Sequence, residues 1–280
     1  MSTLRFPIVR SVALLLALTF AGGDALAQYV PYRQRPEAYE RGNRSDRNYQ
    51  AGVFDYYVLA LSWSPTYCAG LADGRYERQC DTSNPRPYAF VLHGLWPQFE
   101  RRWPQYCRTT DRGFVPRPVA QRMLDIMPSE KLIFNEYRKH GTCSGLGVDG
   151  YFDLSRRLFE KIKIPSRYVG LTDERLMVSP GELVREFIAA NPQLTPDMIA
   201  VQCGGPGHRL KEVRICFDKG GNLRACGRNE EQRRLCSAER MYVPPVRIGG
   251  ANVAPDRRAP APKSTPGGDL LPGPRDERRL

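Results

Sequence analysis

The 280 residues carry 42 Lys and Arg against 30 Asp and Glu, a net charge of +12. That balance suits a polyanionic partner such as nucleic acid, although a basic solvated surface gives the same count. No apolar run approaches the roughly 20 residues that a membrane-spanning helix needs, which excludes an integral helical membrane protein.

The chain opens with Arg5 and Arg10 around the start of an apolar run, Val12 to Ala21, followed by Ala25-Leu26-Ala27. This reads as a signal peptide over 1–27, cut before Gln28, and places the mature protein in the periplasm or the medium. Residues 28–50 bear Arg, Tyr and Pro without apolar periodicity, and 249–280 are rich in Pro, Gly, Ala and Arg. Both segments are expected to be disordered arms. Between them, 51–248 is one domain's length of chain, enough for its own core.

Aromatic and branched runs at 54–61 and 88–92 predict buried strands. Helices are expected at about 116–126, 130–140, 151–162 and 180–190. The last follows Ser179-Pro180-Gly181-Glu182, a capping box with Pro at the first helical position. Strands at 198–203 and 210–218 follow, and this order predicts an α+β fold.

Eight cysteines, at 68, 80, 107, 143, 203, 216, 226 and 236, predict four disulfides in an oxidising compartment. A zinc site is disfavoured, since the paired Cys-x-x-Cys knuckles of structural zinc are missing. Cys216 and Cys226 flank Lys219-Gly220-Gly221-Asn222, so a hairpin turning around Gly221 sets them opposite each other at bridging distance. Cys203 and Cys236 bracket that hairpin as an outer clasp.

There are three histidines. His208 follows Cys203-Gly204-Gly205-Pro206-Gly207 and is read as a structural or surface loop residue. His93 stands where an apolar strand ends at Gly94, a place from which a side chain can face a cleft. Glu136, Lys139 and His140 occupy i, i+3 and i+4 and so share one helical face. A solvated helix gives that spacing too, but Phe134 and Tyr137 flank the face and Cys143 lies one turn beyond.

The segments His93-Gly94-Leu95-Trp96-Pro97 and Glu136-Tyr137-Arg138-Lys139-His140-Gly141-Thr142-Cys143 resemble the two active-site boxes of the ribonuclease T2 family. The likeness extends to Leu61-Ser62-Trp63-Ser64-Pro65-Thr66-Tyr67-Cys68, to Tyr151-Phe152, to Glu212-Val213-Arg214-Ile215-Cys216 and to most of the cysteine spacing. It covers about 51 to 240, and the Trp63 segment is most similar to bacterial members.

The resemblance implies a ribonuclease T2-like fold, with a mainly antiparallel central sheet flanked by helices. It adds the pairs Cys68–Cys80 and Cys107–Cys143. It further implies a monomeric endoribonuclease that cuts single-stranded RNA through a 2′,3′-cyclic phosphate, without metal or cofactor, and that leaves DNA intact. In that chemistry His140 is the base, His93 the acid, Lys139 the cation facing the phosphorane, and Glu136 orients its neighbours. Trp96 and Gln98 fall where relatives hold the base on the 5′ side, one by stacking and one by hydrogen bonding. Asn135 replaces a third histidine usual in the family, and Tyr137 a usual Trp. A neutral amide at 135 contacts phosphate more weakly than an imidazolium, so a weakened, RNA-holding or effector protein on the same fold is the alternative reading.

Overall fold

In a computed structural model of the chain, residues 49–71, 77–81, 83, 87–110, 113–169, 171 and 176–246 are described. The expected signal peptide, nearly all of the first arm and the tail lie outside these residues. Four strands, β1 (Tyr56–Trp63), β2 (Phe90–Gln98), β4 (Ile199–Gly204) and β5 (Arg209–Phe217), form one sheet in the order β2-β1-β5-β4. Every pairing in it is antiparallel. Helices α1 (Ser64–Ala69), α2 (Arg117–Gln121), α3 (Glu130–Lys139), α4 (Gly147–Lys161), α5 (Ser166–Val169), α6 (Pro180–Ala190) and α7 (Gln232–Leu235) surround it, and β3 (Leu176–Val178) pairs with β6 (Met241–Val243). Among the described residues no helix is long and apolar enough to cross a membrane.

Strand β1 is central and buried along its whole length, which is why it reads as a near-continuous apolar run. Its two faces do different work. Tyr57, Leu59, Leu61 and Trp63 join Leu92 and Leu95 of β2 and Val213, Ile215 and Phe217 of β5 in the main core. Against that layer pack Ile133 and Tyr137 of α3, Phe152 and Leu158 of α4 and Phe187 of α6. Helix α6 begins as expected: the Ser179 hydroxyl accepts from the Glu182 backbone N–H and the Glu182 carboxylate accepts from the Ser179 N–H. The opposite face carries Val58 and Ala60 with Trp96 and Cys216.

Strand β2 does not end at 92. It continues to Gln98, because residues 94–98 pair with Tyr56–Ala60 of β1, and Pro97 is tolerated since β2 is an edge strand. The register slips between Ala60 and Leu61: Ala60 pairs with Gly94 but Leu61 with Leu92, leaving His93 as an unpaired bulge residue. The helix expected over 116–126 is helical only to Gln121 and continues as turns, while α4 starts one turn earlier than expected.

All four disulfides form, with Cα separations of 5.4 Å for Cys68–Cys80, 4.9 Å for Cys107–Cys143, 5.0 Å for Cys203–Cys236 and 5.3 Å for Cys216–Cys226. The segment around Gly221, at φ 83°, turns the chain back as expected. Only the Phe217–Leu223 bridge follows instead of a full second strand.

Candidate active site

The bulge at His93 decides what the sheet can display. In a regular strand, residues 93 and 96 would point to opposite faces. One extra residue puts both on the face opposite the main core, beside Gly94, which is paired with Ala60. From β5 the same face receives Glu212, paired with Ser62, and Arg214, paired with Ala60. Helix α3, whose Ile133 and Tyr137 pack in the main core, lies against β2 and delivers Glu136 to Trp96 and His93, and His140 caps its end. Gly94 permits the close approach: a Cβ there would collide with Glu136 Oε2 and lie 2.6 Å from Trp96 Nε1.

Trp96 is the hub. Its indole N–H donates to Glu136 Oε2 at 2.7 Å. Its ring lies 5.1 Å from that of His93 and 5.4 Å from that of His140, with the Arg214 guanidinium 5.1 Å away. Both histidine rings thus pack against the same indole. His93 stands between carboxylates, with Nδ1 2.5 Å from Glu212 Oε1 and Nε2 3.6 Å from Glu136 Oε1. Nδ1 of His140 is buried without a hydrogen-bond partner among the described residues.

These surroundings push the two imidazoles apart electrostatically. Burial opposes charge on His93, but Glu136 and then Glu212 outweigh it and raise its pKa above the ordinary histidine value. Around His140, burial, then Lys139, His93 and Arg214, all disfavour a proton, and its pKa falls well below that value. Burial pushes the Glu136 carboxyl up. Burial acts the same way on Glu212, yet His93 and Arg214 prevail and bring it down to about 2. The two shifts run in opposite directions, one favouring the charged imidazole and the other the neutral one, the division that acid–base chemistry on one substrate requires.

The segment after His140 is clamped from several sides. Gly141–Cys143 form a 3-10 turn, Cys143 is bonded to Cys107, and the Tyr106 N–H donates to the Lys139 carbonyl at 2.8 Å. Gly141 cannot carry a side chain, since a Cβ would run into the Tyr137 ring.

Of the residues singled out from sequence, His93, Trp96, Glu136 and His140 converge on one patch. Lys139 and Asn135 are half-buried on α3, one turn apart. Trp96 and Gln98 are both buried. Trp96 is 1% exposed, so in this arrangement it offers no open ring face for a base. Gln98 is buried as well, and its carbonyl accepts from the Asn229 amide at 3.0 Å. His208 sits at the tip of the β4–β5 turn with φ 47°, away from this patch in the fold.

Glu212 and Arg214, which the motif reading included in the resemblance without a role, and Gln202, which it did not name, lie beside His93 in one hydrogen-bonded chain. A signal existed: Glu212 and Arg214 alternate with Val213 and Ile215 in an otherwise apolar strand, and Cys216 continues their face. Two charges at alternate positions of a buried strand need partners.

Known proteins resemble this chain in sequence and fold. A protein from Aeromonas hydrophila named ribonuclease is 36% identical over 198 residues, which cover 66% of this chain and 81% of that protein. A probable ribonuclease of Haemophilus influenzae is 31% identical over 196 residues, covering 66% of this chain and 65% of its own length. The fold matches that of an RNase-related protein from Calystegia sepium, with a TM-score of 0.51 and 20% identity across 69% of this chain and 98% of the other. Residues 54–226 match the family described as Ribonuclease T2, and since that span is more than half of the chain and takes in both histidine segments and the Glu212 strand, the chain belongs to the ribonuclease T2 family.

Proposed function

We propose that this protein is an exported endoribonuclease that cleaves single-stranded RNA by transesterification, with His140 as base and His93 as acid. The observation that carries the reading is the pair of buried imidazoles packed against Trp96, one in surroundings that lower its pKa and the other between carboxylates that raise it. Family membership and the relatives named ribonuclease support the same activity.

In the proposed reaction the ribose 2′-hydroxyl gives its proton to His140 as the 2′-oxygen bonds to phosphorus. The bond from phosphorus to the 5′-oxygen breaks, and that oxygen takes a proton from His93. The products are a 2′,3′-cyclic phosphate and a 5′-hydroxyl end, and hydrolysis of the cyclic ester runs the same transfers in reverse with water. Lys139 supplies positive charge to the phosphorane, and Asn135 can donate a neutral hydrogen bond. Every proton transfer and every charge is assigned to a side chain, so no metal is needed, and DNA lacks the attacking hydroxyl. Trp96 holds Glu136 and packs against both histidine rings, and Gln98 anchors the end of β2 to Asn229.

Digestion of matched RNA and DNA oligonucleotides in excess chelator, with product analysis, tests the reading. Cyclic phosphate ends from RNA and intact DNA are expected. RNA binding without cleavage would make the protein an RNA-holding member of the family, and cleavage restored only by a divalent ion would overturn the mechanism.

A further inference from the structure

His93 is met from behind by a buried chain of polar groups that reaches across three strands. Glu212 Oε1 lies 2.5 Å from His93 Nδ1, and Glu212 Oε2 accepts from Arg214 Nε at 3.2 Å and Nη2 at 3.1 Å. Arg214 Nη2 donates onward to Gln202 Oε1 at 2.7 Å on β4. Glu212 and Arg214 are 4% and 2% exposed, so neither charge is screened by solvent.

We propose that Glu212 is a positioning residue for the acid histidine: its carboxylate, locked by Arg214, accepts the Nδ1–H of His93 and leaves Nε2 to carry the proton given to the leaving oxygen. The inference deepens the proposed function and rests on it for the direction of proton transfer. An ionised carboxylate only accepts hydrogen bonds, so Nδ1 keeps its hydrogen in both charge states of the imidazole. The titrating proton is then confined to Nε2. A buried carboxylate behind a catalytic histidine fixes tautomer and ring orientation in this way in unrelated hydrolases.

Arg214 completes the device by keeping Glu212 ionised, without which the carboxyl could hold the proton itself. Glu136 faces Nε2 from α3 and favours the charged ring, Lys139 on the same helix opposes it, and His140 packs against the Trp96 ring at 5.4 Å. Of the two carboxylates, only Glu212 is within hydrogen-bonding distance of the ring.

The test is Glu212→Gln, read by nitrogen-detected NMR of the His93 ring and by steady-state kinetics across pH. In the unaltered protein, neutral His93 should carry its hydrogen on Nδ1. In the variant its titration midpoint should fall by about one to three pH units, as expected on loss of an adjacent opposite charge. The neutral ring should also populate the other tautomer, because the Gln amide can donate to Nδ1. The basic limb of kcat should move with the midpoint, and plateau kcat should fall about 10–10²-fold with KM nearly unchanged, in the range of second-layer substitutions. Because Glu212→Gln leaves Arg214 buried without its charge partner, Glu212→Gln with Arg214→Met serves as the second variant, and the same shift is expected. An unchanged His93 tautomer and midpoint, or an effect confined to KM, would overturn the proposal. The NMR readout needs no RNA, so an unaltered protein that failed to cleave RNA would defeat the proposed function while the Glu212–His93 link was still measured.

Discussion

His140→Ala should lower turnover of RNA by about 10²–10⁴-fold, and His93→Ala by a similar factor, since each removes one partner of the acid–base pair. The effects should be far from additive in the double variant, because neither proton transfer is useful alone. Both side chains are buried, 6% exposed for His93 and 1% for His140, so each truncation also leaves a gap beside Trp96. Circular dichroism and urea unfolding must therefore accompany the rate measurement. Folded variants with near-normal rates would mean that the reacting groups lie elsewhere.

The second large effect is expected from Cys107→Ala with Cys143→Ala. The bond spans 36 residues, and a cross-link of that size stabilises by about 2–4 kcal/mol, chiefly through the unfolded chain. Its position adds a functional cost, because Cys143 ends the turn that follows His140 and its carbonyl accepts from the Gly52 N–H at 2.9 Å. Loosening that turn should reduce kcat by on the order of 10–10²-fold, as misplacement of a reacting group by about 1 Å does. Cys68–Cys80 spans 12 residues and ties α1 to the 3-10 turn at Arg78–Cys80, so its removal should lower the urea midpoint less and leave kcat nearly unchanged. Equal kcat losses in both double variants would point to general destabilisation instead.

Much of the fold was legible because buried strands and amphipathic helices leave periodic marks. The runs at Tyr56–Trp63 and Arg209–Phe217 and the cap at Ser179 needed no tertiary information. The elements that escaped, β3, β6, α1, α5 and α7, are three to six residues long, too short for a period to show. The extension of β2 was hidden by Gly94 and Pro97, which read as turn formers but here occupy a bulged edge strand.

His93, Glu136 and His140, which the fold brings to one patch, all lie in two local segments. The bulge that brings His93 and Trp96 to one face was not legible in them, since it exists only as a mismatch between β1 and β2. Glu212 lies 119 residues from His93 in sequence, and only the β1–β5 pairing makes them neighbours. The burial of Trp96 was equally invisible, because a tryptophan in a short motif gives no sign of whether its ring faces solvent or the histidines.

The most direct measurement of the central claim is kcat/KM for a single dinucleotide across pH in the presence of a chelator, which reports the ionisations of the free protein. The pKa of His140 is lowered, so the base stays available well into acid, and that of His93 is raised, so the acid stays protonated past its ordinary range. The account predicts a broad bell with an acid limb below and a basic limb above the usual histidine value of about 6.5. A narrow peak centred there, or a rate that rises steadily with pH and vanishes on chelation, would contradict it.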